Sequence, residues 1–213
     1  MSSGAVSTSA RYRPAEEFKF NTMDIVVAVL LGVIEAVIEI VGALGFLERT
    51  VWAGGAAGFA LYAWYNGATW LLFYAGAYLR KRAGMIMLAS LVTHLIRWFA
   101  GDPDGPVLLF YGLFPAIFGV AVFMLMRHQG GRWLFALSLA ATAAANQLAT
   151  FIGQGGFQLA DSTFWAWVSI GIGFVGGLLW GVIAWYLGRG LEKAGVPSVD
   201  TPPALGPEQV SYA

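Results

Sequence analysis

The chain has 213 residues, of which 58% are apolar and 11% charged, with 12 basic and 12 acidic side chains. Soluble domains are about 45–50% apolar and about 25% charged, so this composition excludes a water-soluble globular domain and a disordered chain. Zero net charge offers no field for nucleic acid, and the absence of cysteine removes disulfides, thiolate metal sites and thiol nucleophiles.

The first 21 residues are polar, read as a disordered cytoplasmic tail with no cleavable signal-peptide core. Six apolar segments of roughly membrane-spanning length follow. They run over Asp24–Phe46, Phe59–Leu79, Gly84–Ala100, Val107–Met126, Trp133–Ile152 and Phe164–Leu187. Short links rich in turn residues join them, among them Arg80-Lys81-Arg82 and Gly101-Asp102-Pro103-Asp104-Gly105-Pro106. Residues 22–196 thus read as one membrane domain, and residues 197–213, with Pro197, Pro202, Pro203 and Pro207, as a second disordered cytoplasmic tail. Continuous apolar runs exclude the alternating strands of a membrane β-barrel. The expected fold is an all-α integral membrane protein, a bundle of six transmembrane helices.

Charge sets the expected direction. Arg11, Arg13, Lys19, Arg80, Lys81, Arg82, Arg127, Arg132, Arg189 and Lys193 fall on one side, and only Arg49 on the other. The positive-inside bias puts both termini in the cytoplasm. At about 1.5 Å per residue, the polar residues of the spans then gather in the outer half. Glu39 on span one, Tyr62 and Asn66 on span two, His94, Arg97 and Trp98 on span three, Tyr111 on span four, and Asn146, Gln147 and Thr150 on span five lie there. Trp70 and Ser90 lie near the middle, as does Glu35. Helical phase puts Ser90, His94 and Arg97 on one face, Tyr62, Asn66 and Trp70 on another, and Asn146 with Thr150 on a third. A charge at membrane depth costs at least about 2.5–3.5 kcal/mol unless paired or wetted, which makes Glu39 and Arg97 a natural pair. Helix stapling explains one such pair; a set this large at one depth favours an outward-facing pocket.

Other motifs carry less. Gly171-Ile172-Gly173-Phe174-Val175-Gly176 fits the dinucleotide pattern but lies inside an apolar helix with no preceding strand, so Gly173, Gly177 and Gly181 read as close helix packing. Asp102-Pro103-Asp104-Gly105 reads as a helix-connecting turn rather than a calcium loop. His94 and His128 are too far apart to share a metal or haem, and no P-loop occurs. No cofactor is expected. On span one, Ala28, Gly32 and Ala36 form a small-residue stripe with Glu35 and Glu39 on nearly the same face, turned to the bundle or to a partner subunit.

Four stretches carry a family resemblance: Asn66-Gly67 through Trp70, Arg80-Lys81-Arg82-Ala83-Gly84, Gly101 through Pro106, and Leu191-Glu192-Lys193-Ala194-Gly195-Val196. In their order and spacing, over about Asp24 to Val196, the chain resembles the substrate-binding (S) component of energy-coupling factor (ECF) transporters, and more narrowly the hydroxymethylpyrimidine/thiamine type. The resemblance implies a non-enzymatic subunit in the cell membrane of a prokaryote. It would capture a vitamin-like molecule and work with a transmembrane coupling subunit and two ATPase subunits. It also implies that Ala28, Gly32 and Ala36 touch the coupling subunit. Glu35 departs from that pattern, and Ser90 and Val120 stand where the thiamine type has acidic residues.

The function expected is capture of a small heterocyclic nutrient such as thiamine or hydroxymethylpyrimidine. Glu39, Asn66, His94, Arg97, Asn146 and Gln147 would orient it, Trp70, Trp98 and Tyr111 would stack on it, and Trp52 would close the site. The alternatives are an intramembrane enzyme using His94 as base, and an accessory membrane subunit that binds nothing.

Overall fold

Where the chain carries turn residues, its helices stop. The structure, a computed structural model, describes residues 14–41, 55–153 and 163–198. After a 3-10 turn at Pro14–Phe18 come α1 (Thr22–Val41), α2 (Gly55–Tyr65), a 3-10 segment (Asn66–Trp70) and α3 (Leu71–Arg80). Then follow α4 (Gly84–Phe99), a 3-10 turn (Gly105–Val107), α5 (Leu108–Leu125), α6 (Arg132–Gly153) and α7 (Thr163–Lys193). The elements of the described residues are therefore all helical, and their six helical regions fall on the six apolar segments, the first as far as Val41. Trp52, Arg11, Arg13, Arg49 and most of the two tails lie outside the described residues.

Three helices are long and apolar enough to cross a membrane by that measure alone: Gly105–Leu125, Arg132–Gly153 and Phe164–Lys193. The others fall short for identifiable reasons. Helix α1 carries Asp24, Glu35 and Glu39 within 20 residues, and α4 has 16 residues. The second segment is not one helix. It is broken at Asn66–Trp70, where the Thr69 hydroxyl donates to the Asn66 carbonyl at 2.8 Å and draws the backbone from α to 3-10 geometry.

Helices α6 and α7 pack along most of their length because glycine lets the backbones meet. A β-carbon at Gly177 would stand 2.5 Å from the Ala140 Cα, and one at Gly181 2.6 Å from the Ala136 Cα. The glycine run is thus a packing device. Deeper in the bundle the fully buried Tyr74 hydroxyl bonds Ser138 Oγ at 2.8 Å and Thr142 Oγ1 at 2.7 Å. Ser138 also donates to the Gly119 carbonyl at 2.8 Å, which ties α3, α5 and α6 together.

One end of the bundle is closed by a salt-bridged clasp. Asn21 and Asp24 cap α1 reciprocally: each side chain accepts from the other's backbone N–H, at 2.8 and 2.9 Å. The fully buried Asp24 carboxylate also accepts from Arg80 Nε at 2.7 Å and faces Arg82 Nε at 3.6 Å. Buried Glu17 accepts from the Ala83 N–H and from His128 Nε2, both at 2.7 Å. The Arg80-Lys81-Arg82 turn is thereby sewn to the N-terminal segment.

The stripe on α1 faces inward. Ala28, Gly32 and Ala36 are buried, and the Thr93 hydroxyl of α4 donates to the Gly32 carbonyl at 3.0 Å. A β-carbon on Gly32 would lie 3.0 Å from the Ala89 carbonyl oxygen. Within this chain it is α4 that occupies the stripe expected to meet a coupling subunit. The side of α1 left open carries Val26, Val29, Leu30, Val33 and Val37.

Candidate functional site

The 3-10 break in the second segment is the centre of the site. In 3-10 geometry residues three apart eclipse one another, so Asn66 and Thr69 present their side chains on one line. Asn66 is buried and donates through Nδ2 to Asn146 Oδ1 on α6 at 2.7 Å. The Asn146 Nδ2 donates in turn to the Tyr111 carbonyl of α5 at 3.3 Å. Thr150, one turn along α6, returns its hydroxyl to the Asn146 carbonyl at 2.9 Å. The break is therefore pinned to two neighbouring helices by polar groups, in a region where an unmet polar group is expensive.

On the opposite wall stand the charges. Arg97 near the end of α4 donates through Nη1 to Glu39 of α1. Its Nη2 meets Asp102 Oδ2 at 2.7 Å and its Nε the same oxygen at 2.9 Å. His94, one turn back, donates from Nδ1 to the Ser90 carbonyl at 2.7 Å. A β-carbon on Gly112 would strike its ring, so that glycine is what lets α5 close over the imidazole.

These walls enclose one cavity, lined by Glu39, Tyr62, Tyr65, Asn66, Thr69, Trp70, His94, Arg97, Asp104, Leu108, Tyr111, Asn146 and Thr150. The space open to the centres of water-sized molecules is about 40 Å³, room for a few waters. It lies at the end of the bundle away from the Asp24–Arg80 clasp. Trp70 is 2% exposed, and its indole N–H has no acceptor among the described residues. Among the described residues no group of three or more His, Asp and Glu side chains is arranged to hold a metal.

Of the nine residues expected at the site, Glu39, Asn66, Trp70, His94, Arg97, Tyr111 and Asn146 line this cavity, and two do not. Gln147 is fully buried on the face of α6 turned to α7, where a β-carbon on Gly173 would lie 3.0 Å from its Cγ. One residue round the helix from Asn146 is enough to turn it away. Trp98 packs behind the wall, against the cluster of Leu108, Tyr111 and Ala149, with its ring 5.3 Å from that of Phe99. Trp52 lies outside the described residues, so its closing role has no structural counterpart here.

Six lining residues were absent from the expected set. Tyr62 and Thr150 share the helical phase of Asn66 and Asn146, which already marked them. Tyr65 and Thr69 enter through the 3-10 break, which α-helical phase does not anticipate. Asp104 comes from a link read only as a turn, and Leu108 carries no polar mark.

No protein-family model matches the chain, and no curated protein sequence is similar to it. Its fold is similar to that in the crystal structure of an S-component of an ECF transporter, with a TM-score of 0.63 and 18% sequence identity. The likeness covers 83% of this chain and 88% of that one. It is a likeness of fold.

Proposed function

We propose that the chain is the substrate-capture subunit of an ATP-dependent, ECF-type uptake transporter. On this reading all six helical regions span the cell membrane of a prokaryote, with both termini in the cytoplasm. The cavity opens to the medium and takes a small heterocyclic nutrient of the thiamine or hydroxymethylpyrimidine class. A transmembrane coupling subunit and two ATPase subunits supply the energy, and this chain catalyses no reaction.

The observation that carries the reading is the cavity itself. Aromatic rings, an amide pair and an ion pair converge at the end opposite the basic turn, in a bundle whose fold is similar to that of an S-component. Sites for small molecules have this make-up, apolar and aromatic walls with a few polar groups that orient the ligand. The indole N–H of Trp70 adds a buried donor with no acceptor among the described residues, as expected of a group that meets a ligand. Positive charge at the other end, on Arg80, Lys81, Arg82, Arg127 and Arg132, supports the direction.

The test is binding and uptake. Purified protein titrated calorimetrically with thiamine and with hydroxymethylpyrimidine should bind one of them in a one-to-one complex. Cells carrying the chain together with a coupling subunit and ATPases should accumulate the same compound, and cells lacking the ATPases should not. Saturable binding with chemical conversion of the ligand would contradict the reading, as would no binding at all.

A further inference from the structure

The basic end of the bundle carries two sets of charges, and only one is matched acid to base. In the clasp, Asp24 and Glu17 take up Arg80, Arg82 and His128. The second set lies at the ends of α3 and α7 and the start of α6. It comprises Lys81, Arg132, Arg189 and Lys193, all exposed, and one acid, Glu192. The Glu192 carboxylate accepts from the Tyr78 hydroxyl at 3.1 Å and lies in the field of Lys81 and Arg189. Arg132, Arg189 and Lys193 form no salt bridge among the described residues.

Aromatic rings hold this second set in place. The Arg189 Cζ lies 5.4 Å from the centre of the Trp185 ring, and Lys81 Nζ lies 4.3 Å from that of Tyr78. These two rings meet edge to face at 6.2 Å, so the two cations stand on adjoining supports. Gly188 permits the contact, because a β-carbon there would lie 2.6 Å from Tyr78 Cγ. Phe135 of α6 packs on Tyr78 at 6.0 Å, and Arg132, one turn earlier, lies over Trp133 at 5.4 Å. A guanidinium stacked on a ring keeps its N–H edge for a phosphate. Trp133 and Tyr186 are more than half exposed, and rings so placed sit at the level of lipid headgroups. Leu179 and Ile183, at helical spacing before Tyr186, continue the exposed surface as an apolar stripe.

We propose that this surface binds an anionic phospholipid of the phosphatidylglycerol class. The ring-stacked Arg189 holds its phosphate, with Arg132 and Lys193 beside it, and its acyl chains lie along Ile183 and Leu179. Charge decides the headgroup: phosphatidylcholine brings a cation of its own, which this surface repels. The stripe decides between lipid and free phosphate, since a soluble phosphate gains nothing from it. The inference concerns the end of the molecule away from the cavity and holds whatever the cavity binds.

The test is native mass spectrometry of the full-length protein released from nanodiscs of phosphatidylcholine mixed with phosphatidylglycerol. The wild-type chain should retain phosphatidylglycerol in preference to phosphatidylcholine. Arg189→Gln and Arg132→Gln should each lower that preference about fivefold, and the two together about thirtyfold, as expected of basic side chains at an anionic headgroup. Arg127→Gln removes an exposed charge at the same end that stacks on no ring among the described residues, and should leave the preference unchanged. All these variants should melt like wild type in phosphatidylcholine alone. Phosphatidylglycerol should raise the wild-type melting temperature, and glycerol phosphate, the headgroup without chains, should not. Equal retention of the two lipids overturns the proposal. So does an Arg127→Gln effect as large as that of Arg189→Gln, which would mean diffuse attraction, or stabilisation by glycerol phosphate equal to that by the lipid. None of these outcomes touches the capture reading.

Discussion

The two ends of this bundle use the same residue types to opposite ends. At the clasp, Asp24, Arg80, Glu17 and His128 are matched group for group: each carboxylate meets its cation or backbone N–H within 2.7 Å, and Asp24 and Arg80 are buried. At the cavity, Glu39 and Arg97 are matched, but the Trp70 N–H has no acceptor among the described residues. A saturated network holds helices together; an unsaturated one of equal polarity is poised to meet something else. Breaking each end should therefore move a different observable.

The largest effect belongs to the clasp. Arg80→Gln removes the nearest cation from the buried Asp24 carboxylate, and loss of one partner of a buried ion pair costs about 3–5 kcal/mol. A melting curve in detergent should shift down strongly, while the ligand affinity of the folded fraction stays as in wild type. Lost affinity in fully folded protein would mean that the clasp belongs to the site.

The cavity comes next. Asn66→Ala and Asn146→Ala each remove one half of a buried amide pair, and a buried group left unpaired costs about 1–3 kcal/mol. Each should weaken ligand binding by about ten- to a hundredfold, as read by calorimetry. The two changes made together should cost less than the sum, because they share one hydrogen bond.

A smaller effect follows from acidity. Asp104 has its pKa raised, so it takes up its proton at a higher pH than an ordinary aspartate. The affinity for thiamine, which carries a positive charge, should therefore fall as pH is lowered from neutrality, and Asp104→Asn should flatten that profile. The empty protein should move the other way. Its folded state binds the proton more tightly than the unfolded one, so stability gains as pH falls through the raised pKa. A pH profile of binding that Asp104→Asn leaves unaltered would remove Asp104 from the account.

The architecture was readable because lipid imposes one solution. Continuous apolar runs must be helices, and their count and order came from turn residues alone. The polar residues at one depth were readable too, since intramembrane polarity is rare enough to stand out. What escaped was rotation. Gln147 and Asn146 are neighbours in sequence, yet only Asn146 reaches the cavity, and only the packing of Gly173 decides between them. The stripe of Ala28, Gly32 and Ala36 announces a close helix neighbour without saying which, and that neighbour is α4. The 3-10 break was hidden because asparagine, glycine and threonine are all tolerated within a helix; it is the Thr69 hydroxyl bond that reveals it.

The smallest effect sharpens the same contrast. Both polar atoms of the Gln147 amide are buried with no partner among the described residues, so Gln147→Leu removes an unmet group and should raise stability by about 1 kcal/mol. Ligand affinity should not change. A loss of affinity would return Gln147 to the site.

The claim underneath all of this is that the space between Asn66, Asn146, Glu39 and Arg97 is built to hold a small molecule. Native mass spectrometry of the protein released from nanodiscs, after expression in rich medium, tests it directly. The wild-type chain should carry a bound compound of low mass that the Asn66→Ala/Asn146→Ala protein, folded to the same extent, has lost. Equal occupancy in both proteins, or an empty wild-type chain even after incubation with medium extract, would contradict the account.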